Sequence, residues 1–183
     1  MRAVVPASAA ARAFLYRRDA RGPSPGAASA AMAGHAEAIA ASFQRLTGRA
    51  LLGAGTDGAA AGPQPLWAAL LEHPRMALLS VGTQADPVLN YGNEAALALF
   101  EMSWEQLTVT PGRLTAQLEH EREERQHLLD SVAARGFMLT YSGVRVSSTG
   151  RRFRIRDAAV FNIVEDGEYK GQAAWFSTDV AYV

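Results

Sequence analysis

The stretch Asp86-Pro-Val-Leu-Asn-Tyr-Gly-Asn-Glu-Ala-Ala-Leu-Ala-Leu-Phe100, followed by Ser103-Trp-Glu-Gln-Leu107, decides the fold. Val88 to Tyr91 is a short, mostly apolar run typical of a β-strand, and the Asn90-Tyr-Gly-Asn93 segment that overlaps its end predicts a turn. Asn93 is placed to cap the helix that follows, and Ser103 starts a second helix with the sequence of a capping box. We therefore predict a strand that leads into two short helices.

Length and composition limit what the chain can be. With 183 residues, of which 49% are hydrophobic, we expect one domain with a core of ordinary size. Lys plus Arg and Asp plus Glu are equal at 18 each, so we predict no nucleic-acid partner and no membrane partner. The chain has no cysteine, which excludes disulfides and thiolate nucleophiles. No apolar run approaches the ~18 residues of a membrane-spanning helix.

Residues 1–33 differ from the remainder. They are rich in alanine and carry five arginines but a single acid, a composition typical of an organelle transit peptide. The alternative is a start codon assigned too far upstream, because Met32 lies just before sequence with clear periodicity. We predict that 1–33 is a disordered presequence and 34–183 the domain. The expected location is cytoplasmic, or a plastid or other organelle if 1–33 is a transit peptide.

The segment from His35 to Thr47 has the pattern of an amphipathic helix. Its apolar residues Ile39, Phe43 and Leu46 recur at intervals of three and four, so they share one helical face that must be covered. We predict that this face forms a homodimer interface. The alternative is that the helix covers its own sheet.

The rest of the domain alternates helices and strands. A long charged helix is predicted over Glu119–Arg135 and is followed by three strands joined at Thr149-Gly150 and Asp166-Gly167, which together predict an antiparallel meander. The predicted strands are Met76–Val81, Val88–Tyr91, Phe137–Ser147, Arg151–Val164 and Tyr169–Thr178, and a short helix is predicted over 66–72.

The first hairpin of the meander allows a test of register. If Thr149-Gly150 is a two-residue loop, Val146 faces Phe153 on an apolar side, and Ser142 faces Asp157 at the end of the same side. An ionised carboxylate there needs a hydrogen bond, and the serine can supply it. The pair is either structural or a polar anchor in a ligand pocket.

The same register gathers Arg145, Arg154 and Arg156 on the opposite side of the hairpin. Like charges across a sheet cost about 0.2–1 kcal/mol per pair unless an anion offsets them. The offsetting group is an internal acid or solvent, or else a protein partner or an anionic ligand.

His120, Glu124 and His127 lie on one face of the long helix. The two histidines are about 10 Å apart along the axis at ~1.5 Å per residue, so a single ion does not reach both. We predict no metal site.

Several separated motifs carry a family resemblance. The order of strands and helices resembles a PAS domain. More narrowly, the segments Arg45–Arg49, Ala85–Asn93, Tyr141–Arg145 and Arg152–Ile155 resemble the MEKHLA domain, a PAS-like family, over about residues 34–180. The resemblance implies an α+β fold with a five-stranded antiparallel sheet and short helices on one face, to which this chain adds its N-terminal amphipathic helix.

The resemblance also implies a non-enzymatic sensory or regulatory module that binds a small ligand, a protein partner or both. The alternatives are a small enzyme that uses a cavity near Ser142, Asp157 and Tyr141, and a sensor that uses non-covalent flavin or haem; no cofactor is predicted. The candidate ligand-binding residues are Asn90, Tyr91, Asn93, Trp104, Ser142, Asp157, Gln172 and Trp175, and the candidate partner or anion surface is Arg145, Arg154 and Arg156.

Overall fold

A computed structural model describes residues 26–53 and 65–183. The predicted presequence lies largely outside these residues. The helices are α1 (Gly26–Thr47), α2 (Leu66–Leu71), α3 (Glu94–Phe100), α4 (Trp104–Leu107) and α5 (Glu119–Arg135), with a 3₁₀ turn at Gly112–Thr115. The strands are β1 (Met76–Val81), β2 (Leu89–Gly92), β3 (Phe137–Val146), β4 (Arg152–Glu165), β5 (Glu168–Ser177) and β6 (Ala181–Tyr182).

The strands form one antiparallel sheet in the order β2-β1-β5-β4-β3, and the two-residue β6 adds to β4. The predicted five-stranded sheet is therefore confirmed, with one short addition. Alternate residues of each strand point to opposite sides, which divides the core into two layers. We call the side that carries Leu79, Tyr141 and Phe153 the inner face, and the side that carries Leu78 and Phe161 the outer face.

The inner face is covered by α3, α4 and α5. Phe100 of α3, Leu107 of α4 and Val132 of α5 are all at most 2% exposed and belong to its core cluster. Asn93 caps α3 and Ser103 caps α4 with a complete capping box, as predicted. Of the described helices, none combines the length and the hydropathy of a membrane span.

The outer face is covered by α1 of the same chain. Ile39 is 0% exposed and Phe43 7%, and Phe43 meets the ring of Phe161 edge-on at 5.0 Å between centroids. Leu46 packs against the same cluster. A homodimer through this stripe is therefore wrong for this fold, because the stripe is already buried against its own sheet. The helix also begins at Gly26, ahead of the predicted domain boundary.

The two hairpin turns differ from each other. Asp166 and Gly167 both have positive φ, at 50° and 81°, and form the predicted two-residue loop between Glu165 and Glu168. At the other hairpin only Gly150 has positive φ, and Ser147 donates its amide to the carbonyl of Arg151 at 2.9 Å. Thr149 is β-branched and disfavours positive φ, so the loop has three residues with glycine last.

The longer loop moves the register of β3 against β4 by one residue. Arg145 pairs with Phe153, and Val144 pairs with Arg154. Because paired residues share a side of the sheet, Arg145 lies on the inner face, whereas Arg154 points to the other side and is exposed. The predicted register and the predicted cluster of three arginines are both wrong.

A bulge in β4 determines the positions of Arg156 and Asp157. Arg156 and Asp157 lie opposite the single residue Ser142, and Asp157 has a positive φ of 49°. Arg156, Asp157 and Ser142 are all exposed. The predicted Ser–Asp pair on an apolar side is therefore wrong.

Candidate functional site

A cavity of about 60 Å³ lies between the inner face of the sheet and α5. Strands β1, β3, β4 and β5 form its floor, and α5 and the 3₁₀ turn close it. Its apolar wall includes Leu79, Val81, Leu89, Phe100, Leu128, Leu129, Ile155 and Val160, and its polar residues are Ser80, Thr115, Arg125, Tyr141, Arg145 and Gln172. The cavity is therefore mostly apolar with a few polar groups directed into it, the usual construction of a ligand site.

Arg145 on β3 is the most buried charged side chain of the cavity, with 7% of its surface exposed. Its Nη2 donates to the hydroxyl of Tyr141 at 3.1 Å, and its Nη1 donates to the carbonyl of Val144 at 2.7 Å. The guanidinium also lies 5.3 Å from the centroid of the Tyr141 ring. These contacts hold the arginine in place but supply no negative charge.

Gly143 makes the contact between Tyr141 and Arg145 possible. All three residues point to the same side of β3, and the tyrosine ring lies over the glycine between them. A Cβ on Gly143 would lie only 2.2 Å from the Tyr141 hydroxyl oxygen. The ring of Tyr141 occupies the space that a side chain at position 143 would fill.

Arg125 reaches the cavity from α5. Burial, together with the positive charge of Arg145, lowers the pKa of Arg125 to about 10, so it remains charged at neutral pH. Asp86 acts in the opposite direction on this pKa, but its carboxylate forms an ion pair with Arg113 at 3.1 Å. Gly112 leaves room here too, because a Cβ on it would lie 2.7 Å from Nη2 of Arg125.

The remaining polar side chains of the cavity are already hydrogen bonded. Thr115 donates to the carbonyl of Gly112 at 2.7 Å. Gln172 donates to the carbonyl of Leu129 on α5 at 2.9 Å and to the side-chain oxygen of Asn162 on β4 at 3.1 Å. Gln172 therefore ties α5 to the sheet at the edge of the cavity.

The predicted site residues are spread over both faces. Gln172 and Arg145 line the cavity. Tyr91 and Trp175 are buried in the outer core, where Trp104 packs beside them. Ser142, Asp157, Arg154 and Arg156 are exposed on the strands.

Two asparagines predicted to bind a ligand already use their side chains in hydrogen bonds within the protein. Asn90 accepts a hydrogen bond from the hydroxyl of Ser80 at 2.6 Å. Asn93 is 0% exposed and makes four hydrogen bonds, from the amides of Leu78 and Ala96 and to the carbonyls of Leu70 and Met76. An amide has no further donor to offer a ligand once both hydrogens are used.

Arg125 is not among the residues predicted for the site, although the sequence contains a signal for it. Leu128 and Val132, four residues apart, form the apolar side of the long helix and are buried. Extending their spacing towards the N-terminus by three and four residues gives Arg125 and Glu121, and both point inwards. Glu121 is 4% exposed and pairs with Arg152. The buried side of α5 is therefore apolar at Leu128 and Val132 and charged at Glu121 and Arg125. This change in the pattern indicates that the N-terminal half of the helix packs against polar groups of the interior.

The face of α5 with His120, Glu124 and His127 is exposed. Within the described residues no three His, Asp or Glu side chains are grouped closely enough to hold a metal ion.

Comparison with known structures places the fold. An RNA-binding light-oxygen-voltage receptor aligns with a TM-score of 0.50 and 19% identity over 68% of this chain and 35% of its own. A PAS domain from Colwellia psychrerythraea aligns with a TM-score of 0.47 and 17% identity over 57% of this chain and 85% of its own. The Rhodobacter sphaeroides light-oxygen-voltage protein gives 0.49 and 10% over 60% and 61%. The likeness to the RNA-binding receptor concerns the fold alone.

No curated protein sequence matches the chain. The family model of the MEKHLA domain matches residues 33–179, which include α5, the whole sheet except β6, and every residue of the cavity. The chain therefore belongs to the MEKHLA domain family, and its sheet and helices have the PAS-like arrangement.

Proposed function

We propose that this protein is a non-enzymatic sensory or regulatory module that binds a small ligand in the cavity between α5 and the inner face. One observation carries the proposal: the cavity is bounded by both halves of the inner layer. Arg125, Leu128 and Leu129 come from α5, whereas Arg145 and Ile155 come from the sheet. A ligand there contacts both sides, so its binding changes how α5 rests on the sheet.

The size of the cavity supports a ligand of few atoms. Pockets that enclose drug-sized ligands measure roughly 300–1,000 Å³, well above this cavity of about 60 Å³. A flavin or a haem is therefore larger than this cavity, and the chain also lacks the cysteine that binds flavin covalently. The proposal does not involve either cofactor.

The positions of Ser142 and Asp157 give no support to the enzyme alternative. Both side chains are exposed and lie outside the cavity, so they do not form a polar pair inside a pocket. Arg154 and Arg156 remain a candidate surface for an acidic protein partner that receives the signal, because both are exposed on β4.

The test is a screen of thermal unfolding against a panel of metabolites, with an absorption spectrum of the purified protein recorded first. A ligand present at about 100 times its Kd should raise Tm by roughly 5–10 °C for a chain of this size. Ala174→Leu, which narrows the cavity from β5, should abolish the shift. Turnover of a panel compound, or a flavin or haem absorption band, would contradict the proposal.

A further inference from the structure

Two arginines line the cavity, and neither forms an ion pair with an acid of the described residues. Among the described residues, Arg113, Arg151 and Arg152 form ion pairs with Asp86, Glu101 and Glu121, in that order. Arg125 and Arg145 form no ion pair within the same part of the chain. Arg145 is buried and Arg125 is partly buried, so both lack the paired acid that a cation withdrawn from water usually has.

The two guanidinium groups also repel each other. The charge of Arg145 is one of the causes that lower the pKa of Arg125, so the groups are close enough to interact. Placing two like charges beside an apolar cavity costs free energy unless an anion is added. Asp86 offsets part of this repulsion, and a bound anion would offset more of it.

The local backbone is arranged around these side chains. Gly143 leaves the space through which Tyr141 reaches Arg145, and Gly112 leaves the space taken by Nη2 of Arg125. Gly112 therefore lies beside the guanidinium of Arg125, and Gly143 lies beside the tyrosine to which Arg145 is hydrogen bonded. The backbone leaves room for both arginine side chains, which indicates a binding site built around them.

We propose that the ligand of this cavity is a small carboxylate, held by Arg125 and Arg145 through its charged end and by the apolar wall through a short hydrocarbon chain. The inference rests on the proposed function and specifies its ligand. A guanidinium donates two parallel hydrogen bonds to a carboxylate, and Tyr141 keeps Arg145 in a fixed orientation. The Tyr141 hydroxyl, which accepts from Arg145, retains its own hydrogen to donate to a ligand oxygen.

The apolar wall of the cavity favours anions that carry a hydrocarbon part. Leu79, Leu128, Ile155 and Val160 line the cavity beside the arginines. Inorganic phosphate has no apolar part to place against them, and a nucleotide is too large for about 60 Å³. A carboxylate with a few carbon atoms places its charge against the two arginines and its carbon chain against the apolar wall.

The test uses acetate, propionate, butyrate and isobutyrate, each beside its primary amide, together with inorganic phosphate. Binding is measured by calorimetry and by Tm at constant ionic strength, with each compound at up to about 10 mM, above the Kd of weak small-molecule complexes. We expect at least one carboxylate to bind about 10-fold or more tightly than its amide. Arg125→Gln and Arg145→Gln should each weaken that carboxylate about 10- to 100-fold.

Arg156→Gln is the matched control, because Arg156 is exposed on the neighbouring strand and lies outside the cavity. It should bind the carboxylate as the unmodified protein does. The unliganded Arg125→Gln protein should unfold at the same temperature or higher, because it loses a repulsion; a purely structural arginine would give a lower Tm.

The outcomes separate this inference from the proposed function. Amides that bind as well as carboxylates would overturn the carboxylate assignment and leave a ligand-binding module. Phosphate binding more tightly than every carboxylate, or undiminished binding to both cavity variants, would also overturn it. If no compound in this set binds, the inference fails, and the wider metabolite screen then decides the proposed function by itself.

Discussion

Tyr141 and Arg145 lie four residues apart on one strand, and the arginine Nη2 donates to the tyrosine hydroxyl at 3.1 Å across Gly143. Residues i and i+4 of a strand point to the same side but are separated by about 13 Å along it, at roughly 3.3 Å per residue. Two long side chains span that distance only if nothing stands between them. The glycine is therefore part of the site, and its substitution is a test of the arrangement.

Gly143→Ala should displace Tyr141 and free Arg145. The new Cβ would lie 2.2 Å from the tyrosine oxygen, so the ring must move, and we expect a loss of about 1–3 kcal/mol in the free energy of unfolding. Denaturant unfolding measures this loss. Gly34→Ala is the control, because Gly34 is exposed in α1 with nothing within 4 Å; it should stabilise by about 0.5–1 kcal/mol. Equal effects at the two glycines would contradict the role of Gly143.

Ile39→Ala should unfold the chain more easily and leave its mass unchanged. Ile39 is 0% exposed on α1 against the outer face, so truncation leaves a cavity that costs about 2–4 kcal/mol. Unfolding by denaturant gives the cost, and light scattering gives the oligomeric state. Glu37→Ala on the exposed side of α1 should change stability by less than about 0.5 kcal/mol. A dimer that dissociates in Ile39→Ala without loss of stability would show that the stripe lies between copies.

Asn93→Asp should be strongly destabilising, although aspartate is normally as good an N-cap as asparagine. The side-chain nitrogen of Asn93 donates to the carbonyls of Leu70 and Met76 at 3.0 and 2.8 Å, and a carboxylate oxygen in its place would face those carbonyls. We expect a loss of about 2–4 kcal/mol at neutral pH by denaturant unfolding. Relative to the unmodified protein, the loss should shrink as the pH falls, because a protonated acid can donate to one carbonyl. A loss that is independent of pH would argue against this cause.

Glu101→Ala should loosen the hairpin loop between β3 and β4. The carboxylate accepts hydrogen bonds from Ser147 at 2.7 Å, from Thr149 and from Arg151 at 2.9 Å. Burial alone would raise the pKa of Glu101, but these donors outweigh it and lower the pKa. We expect a loss of about 1–3 kcal/mol and faster amide exchange in the loop. Unchanged exchange at Gly150 and Arg151 would show that the loop holds its shape without the carboxylate.

His35 should make the protein less stable below pH 6.5. Burial lowers its pKa from 6.5 and outweighs Glu165, which raises it, so folding favours the neutral ring. Its Nε2 lies 2.9 Å from the hydroxyl of Ser80, which itself donates to Asn90. The stability is complete above pH 6.5, where both states are neutral, and is lost as the pH falls through the folded pKa.

The measurement for His35 is the change in unfolding free energy between pH 7.5 and 5.5. This change should be smaller in His35→Gln than in the unmodified protein, whereas His120→Gln, on the exposed side of α5, should behave like the unmodified protein. Burial lowers the pKa of His73 as well, so part of the pH dependence should persist in His35→Gln. Identical pH profiles for the two variants would rule out the assignment to His35.

Local patterns were sufficient to predict most of the secondary structure. The bounds of β1 and α5 agree with those expected, and Asn93, Ser103 and Gly136 end or begin helices where their chemistry favours it. The reason is that helix caps and periodic apolar faces depend on neighbours within a few residues. The Asp166-Gly167 turn belongs to the same class, because both residues accept positive φ.

The candidate site was less predictable, because it depends on pairing between distant segments. Gln172 was expected in the pocket and Arg145 on a separate charged surface, and both line the cavity. Arg145 was misplaced because Thr149 does not suit a two-residue turn. That single residue changes the pairing of the hairpin by one position and reverses the side to which Arg145 points relative to Arg154.

The sequence by itself determined the family, the order of the helices and strands, and the existence of two amphipathic layers, since each of these depends on local composition and spacing. Only the tertiary structure decided that α1 covers its own sheet and that Arg125 and Arg145 meet at one cavity. Both outcomes depend on register, bulges and packing between residues far apart in the chain, and a difference of one residue in pairing moves a charged side chain from solvent to the interior.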